Sequence, residues 1–238
     1  MTAEGTIVLV HGAWHGGWAW DRVERLLVGA GIETVVVDLP GRGRAEGRPD
    51  LAGHAAHLRT VLGELTSPAL VCGHSYGGAV VSEAVDTSLQ VSGLVYLTAF
   101  PVDVGESVVE VNFPDDPAAA AVPDFVQDDE FLSATPDYAR DAFFNDVEAA
   151  DQAWAVDRLT AEHAGTITGK ATHAAWRELP SAFVLCARDR AFPLSTQRTL
   201  AARTRRQYLL DSGHSPMLTR PAEVAGILIA ELRTVRAG

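Results

Sequence analysis

The hexapeptide Gly73-His74-Ser75-Tyr76-Gly77-Gly78 constrains this chain more than any other stretch. It follows an apolar run, Ala69-Leu70-Val71-Cys72, and leads into an Ala/Val-rich helical pattern, Ala79 to Val85. A strand that delivers a serine at a sharp turn and passes straight into a helix needs small residues two positions to either side, because the two backbones almost touch. Gly73 and Gly77 occupy those positions, and glycine takes up unusual dihedrals at little steric cost. The first helical turn leaves free N–H groups near Ser75, where negative charge on a reacting carbonyl oxygen would be stabilised.

The rest of the chain alternates short apolar runs with helical patterns. Strands are expected over Ile7–Val10, Thr34–Asp38, the run opened by Pro68, Gly93–Thr98, Ala182–Ala187 and Gln207–Leu210. Helices are expected from about Trp18 to Gly29, Leu51 to Leu65, Ser195 to Arg203 and Pro221 to Leu232, the last with proline in its first turn. Six strands alternating with helices imply an α/β architecture, a mostly parallel six-stranded sheet covered by helices on both faces. Residues 101–178 break the alternation with scattered prolines (Pro114, Pro117, Pro123, Pro136), acids and aromatics on weak helical patterns. That stretch is expected to be a helical cap or lid inserted between residues 1–100 and 179–238, which form the core, and to roof the carboxyl edge of the sheet.

Charge excludes some partners. The net charge is −12, and residues 101–176 hold 16 acids against Arg140, Arg158 and Lys170, while the remainder is nearly balanced. No basic patch is present, so nucleic acid is not an expected partner. An acidic roof favours a neutral or cationic substrate over an anionic one. No apolar run reaches the ~18–20 residues of a membrane span. Met1-Thr2-Ala3-Glu4 shows neither the basic nor the apolar region of a secretory signal, so a cytoplasmic location is expected. Cys72 and Cys186 fall in core strands and are expected to be buried free thiols. Nothing in the sequence specifies an oligomeric state.

Ser75 requires a base and an acid. His214, in Asp211-Ser212-Gly213-His214-Ser215-Pro216, lies just past the last strand, where a loop can carry an imidazole over the serine. Asp189 lies just past the preceding strand, where its carboxylate would fix the imidazole tautomer. Arg188 and Arg190 would keep that carboxylate charged if they turned toward it. Asp103, after the fourth strand, is the reserve acid. The amides of Tyr76 and Ala13 are the candidate oxyanion donors, the latter in a loop made pliable by Gly12, Gly16 and Gly17. Trp14, Phe100 and Met217 are placed at strand ends and are the candidate walls of an apolar pocket. His54, His57 and His74 are expected to be structural or exposed, and His15 is a further candidate for the pocket. This constellation calls for no metal and no cofactor.

The strings VLVHGAWHGGWAW, GHSYGG, CARDRAFP and SGHSPML together resemble the α/β-hydrolase superfamily, closest to the branch that holds plant methyl-ester esterases, hydroxynitrile lyases and small bacterial esterases. The likeness covers residues 5–100 and 180–235 and is poor across the insertion. It implies Ser75 as nucleophile, Asp189 as acid, His214 as base, and Ala13 and Tyr76 as oxyanion donors. Hydroxynitrile lyases of this branch carry a threonine and a lysine where this chain has Gly12 and Ser215. The resemblance therefore points to hydrolysis of a small-molecule carboxylic ester, with a lactone or thioester as variants. A lyase or cyclase using the same residues, or a binding protein with vestigial hydrolysis, is the alternative.

Overall fold

The computed structural model describes residues 5–43, 47–113 and 125–237. Met1–Glu4, together with Pro114, Pro117 and Pro123, lie outside the described residues. Strands β1 (Thr6–Val10), β2 (Glu33–Val37), β3 (Ala69–His74), β4 (Val91–Leu97), β8 (Ser181–Cys186) and β9 (Arg206–Leu210) form one sheet in the order β2-β1-β3-β4-β8-β9. Every pairing in it is parallel. β1, β3 and β8 are buried along their whole length, which explains why they read as unbroken apolar runs.

The chain steps outward from β1 to β2, then returns past β1 to β3 and continues in that direction. Right-handed crossovers therefore put α1 (Asp21–Gly29) on one face and α2 (Leu51–Gly63), α3 (Tyr76–Ala84) and α8 (Leu194–Ala201) on the other. α10 (Pro221–Ala237) packs on α1 and runs five residues beyond the end expected from its pattern. The direction reverses between β1 and β3, so the loops that leave their carboxyl ends flank a crevice, the usual ligand position in open α/β sheets.

The segment between β4 and β8 differs from the helical expectation. It holds α4 (Val108–Asn112), α5 (Pro136–Tyr138, continued by a π turn over Ala139–Phe143), α6 (Ala149–Val156) and α7 (Gly165–Thr168). It also holds an antiparallel sheet of β5 (Phe125–Asp128), β6 (Phe131–Ala134) and β7 (Glu162–His163). These strands are two to four residues long and β5 is largely exposed, so no apolar alternation marks them. Acids of the segment meet bases from elsewhere, Glu106 with Arg203, Asp141 with Arg190 and Asp151 with Arg22, and Asp103 pairs with Arg177 of the segment itself. Such surface pairs contribute little each, about 0–1 kcal/mol, but they neutralise the segment's excess charge locally. Among the described residues no helix is long and apolar enough to cross a membrane.

Candidate active site

Ser75 stands between β3 and α3 with φ 50° and ψ −123°, a left-handed conformation that an L residue holds only when its surroundings impose it. Its neighbours explain how. A Cβ on Gly73 would lie 2.6 Å from the Gly77 carbonyl oxygen, and one on Gly77 would lie 2.5 Å from that of His11. Strand, turn and helix are thus in backbone contact, as the glycine spacing predicts.

His214 reaches the serine from the loop between β9 and α9 (Pro216–Thr219), with Nε2 3.1 Å from Ser75 Oγ. On the other side of the ring, Nδ1 lies 2.7 Å from Asp189 Oδ2. The carboxylate accepts from Nδ1–H, which leaves the Nε2 lone pair facing the serine hydroxyl. Both side chains are withdrawn from water, at 3% exposure for His214 and 0% for Asp189.

The arginines beside Asp189 do not hold it. Arg188 turns to Asp211 and Arg190 to Asp141. The Asp189 carboxylate instead accepts the amides of Ala191 and Phe192 at 2.9 and 2.8 Å and the Thr98 hydroxyl at 2.6 Å. Long cationic side chains at a sheet edge gain more from solvent and surface partners than from a buried carboxylate already supplied with donors. Asp103 is engaged by Arg177.

Ala13 and Tyr76 both face the cavity above Ser75. The Tyr76 amide opens α3 and belongs to the group that a helix leaves without an internal acceptor. The Tyr76 phenol donates to His54 Nδ1 at 2.7 Å, and His54 Nε2–H donates to the Pro40 carbonyl at 2.9 Å. His54 is therefore structural, as expected, but it anchors a residue of the site, which its position in a helical pattern does not reveal. Gly12 lies so close beneath that a Cβ there would come within 2.9 Å of Ser75 Cβ.

His74 donates from Nε2 to the His214 carbonyl at 2.8 Å and is fully buried. Burial holds its imidazole well below the usual histidine range. His15 is also buried, against Trp18, Phe143 and Phe144, and stands behind the cavity rather than in its wall. Desolvation pushes its pKa down to about 3.

The cavity is walled by apolar side chains, among them Trp14, Phe100, Val109, Phe143, Ile167 and Phe192. About 650 Å³ of space, part of it open to solvent, lies between them. Trp14 and Phe100 stand where a pocket wall was expected, but Met217 does not. α9 turns Met217 back into the core, where it is fully buried. Among the described residues no acidic side chain is in the wall.

The strand order and the helices around it agree with the comparisons. The model of the alpha/beta hydrolase family matches residues 7–227. A carbendazim hydrolyzing esterase from Nocardioides sp. (strain SG-4G) is 37% identical over 111 residues, which cover 43% of this chain and 45% of that protein. The alpha/beta hydrolase nvfD of Aspergillus novofumigatus is 27% identical over 230 residues, covering 90% of this chain and 91% of that protein. The crystal structure of the methylesterase MES16 from Arabidopsis superposes with a TM-score of 0.79 at 23% identity, covering 96% of this chain and 99% of that one. A family match that runs from β1 into α10, on a sheet whose reversal point carries a serine at a left-handed turn, leaves one assignment: the chain belongs to the α/β-hydrolase family.

Proposed function

We propose that the protein is a serine esterase that cleaves carboxylic esters of largely apolar, neutral or cationic small molecules through an acyl-enzyme. The observation that carries this reading is the relay from Asp189 Oδ2 through the His214 ring to Ser75 Oγ, at 2.7 and 3.1 Å, beneath an apolar cavity. In this reading His214 Nε2 accepts the Ser75 proton as Oγ attacks the ester carbonyl, and Asp189 stabilises the imidazolium. The carbonyl oxygen becomes an oxyanion held by the amides of Ala13 and Tyr76, each worth roughly 3 kcal/mol in the transition state. The imidazolium then protonates the departing alcohol, leaving an ester bond from Ser75 Oγ to the acyl group. Water, deprotonated by His214, attacks the acyl carbonyl carbon, the bond to Oγ breaks as His214 returns the proton to Ser75, and the acid is released. Residues 101–178 act as the lid and supply much of the apolar wall, and so set the acyl and alcohol groups accepted.

Hydrolysis of p-nitrophenyl esters by the wild type, with loss of all but a trace in Ser75→Ala, tests the proposal. Mass-spectrometric detection of a substrate-derived acyl group on Ser75 separates it from a lyase or cyclase that uses the same base without a stable acyl-enzyme. Hydrolysis that persists in Ser75→Ala would sink it.

A further inference from the structure

Trp14 follows Ala13 directly and holds φ 62°, a left-handed conformation unfavourable for a bulky residue. Three bonds from the insertion hold it there. Its backbone N–H donates to Glu162 Oε1 at 2.8 Å, its carbonyl accepts from the Thr160 amide at 3.0 Å, and its indole N–H donates to the Leu132 carbonyl at 3.0 Å. Two of these partners are backbone groups, which any residue supplies. Glu162 is a side chain chosen for the purpose, only 4% exposed, on the two-residue strand β7.

Glu162 is an unusual choice, because the amide takes one oxygen and the other has only the Thr166 hydroxyl beside it, which itself donates to the His163 carbonyl. Around it stand the Tyr76 ring from α3, Arg42 from the loop after β2, Thr166 from α7, His163 from its own strand and the Trp14 turn. The one cation in that set, Arg42, has its guanidinium 3.5 Å from Asp38. A buried carboxylate without a close cation is costly, whereas a carboxylic acid accepting one amide bond is not.

We propose that Glu162 is a positioning residue that holds the Ala13–Trp14 turn in the geometry the oxyanion requires, and that it does so as the neutral acid. The inference rests on the serine esterase reading. Ionised Glu162 would put a negative charge one peptide from an oxyanion donor, beside the Tyr76 residue that supplies the second, and would oppose the charge formed in the reaction. Burial pushes the Glu162 carboxyl up to about 8, against a smaller pull from the Trp14 amide and Arg42, which places that ionisation within reach of an ordinary pH profile.

The test uses full-length protein with p-nitrophenyl butyrate from pH 6 to 9.5. Wild-type kcat is expected to fall as pH rises through about 8. Glu162→Gln keeps the acceptor but cannot ionise: its kcat at pH 7 should stay within about threefold of wild type, and the alkaline fall should vanish. Glu162→Ala removes the acceptor: its kcat should drop about 10- to 100-fold at pH 7, with KM changed little. Hydrogen exchange of the peptide covering residues 11–16 should quicken in Glu162→Ala and not in Glu162→Gln. An alkaline fall that survives in Glu162→Gln, or exchange that is the same in all three proteins, overturns the proposal. Glu162→Gln is nearly isosteric, so the pH arm holds even if the alanine variant does not fold. Ser75→Ala run alongside separates the two readings: activity persisting in it removes the serine mechanism, and the exchange comparison then still supports or overturns the hold on the turn.

Discussion

The Thr98 hydroxyl donates to Asp189 Oδ2 at 2.6 Å, the same oxygen that faces His214 Nδ1 at 2.7 Å. Thr98 is itself held at φ 39°, in the turn that leaves β4, and is fully buried. A β-branched residue in that conformation is a backbone outlier, and its hydroxyl is what the outlier delivers.

Asp189→Asn is expected to lower kcat by about 10³- to 10⁴-fold with little change in KM. Its amide N–H would face Nδ1 and turn the imidazole lone pair away from Ser75. Thr98→Val preserves shape and removes one donor to a buried carboxylate, so a loss of about tenfold, or ~1.4 kcal/mol, is expected in kcat. Steady-state kinetics on one ester substrate measure both. A Thr98→Val protein with wild-type kcat would show that the two backbone amides suffice to hold Asp189.

Gly77→Ala is expected to abolish folding or cost more than about 3 kcal/mol. The added methyl would sit 2.5 Å from the His11 carbonyl oxygen and 2.7 Å from that of Val10, both backbone atoms of β1 and its loop. Neither strand nor helix can retreat without breaking the β1–β3 ladder. Gly226→Ala, on α10 with open space around it, is the matched control and should be neutral or slightly stabilising. Urea unfolding of the two variants makes the comparison, and equal midpoints would contradict it.

What the sequence made legible follows from how locally each feature is encoded. Ser75 is announced by its flanking glycines, and β1, β3 and β8 by apolar runs, because full burial leaves no room for polar alternation. His214 and Asp189 are found by their places after successive strands, once parallel topology is accepted. Thr98, Glu162 and Asp146 carry no such local mark. Each serves the site through contacts made across about 65 to 150 residues of chain, and only packing reveals them. The small sheet β5-β6-β7 escaped for a related reason, since two to four residues of mostly half-exposed strand carry too little pattern. Met217 shows the opposite error, in which a place past a strand end suggested the pocket although the helical turn carried it into the core.

The buried histidines predict the acid limit of stability. Burial lowers the pKa of His11 to about 4 and of His15 to about 3, and holds His74 well below its ordinary value. Below pH 6.5 the unfolded chain binds protons that the folded chain refuses, so this stability is full above 6.5 and is lost as pH falls. Glu162 has the opposite sign: raised from 4.5 to about 8, it stabilises most below 4.5 and loses that contribution as pH rises to 8. Burial lowers His54 as well, so between 6 and 5 four histidines act against one carboxyl, and stability should fall by roughly 2–4 kcal/mol over that unit. His15→Gln retains a donor for the Ala13 carbonyl and removes one titration. Its unfolding free energy should decline less steeply, by about one proton, and an unchanged slope would refute the assignment.

Asp146 does for the base what Glu162 does for the oxyanion turn. It comes from the insertion, between α5 and α6, and its Oδ2 accepts the Gly213 amide at 2.7 Å and the Ser212 hydroxyl at 3.2 Å, in the loop that ends at His214. A Cβ on Gly213 would lie 2.6 Å from Asp146 Oδ1 and 2.3 Å from Asn145 Oδ1, so both side chains would have to move to admit one. The carboxylate and the missing side chain together set how near the loop approaches. Asp146→Ala leaves the amide without its acceptor and opens space beside the imidazole. The expected result is a fall in kcat of about 10- to 100-fold with KM within a few fold, because the contact orients the base and not the ester. Asp146→Asn keeps an acceptor and should recover most of the loss. If alanine and asparagine lower kcat equally, the negative charge rather than the hydrogen bond is what matters there, and if neither lowers it the loop is held by Ser212, Thr219 and the His74–His214 bond alone.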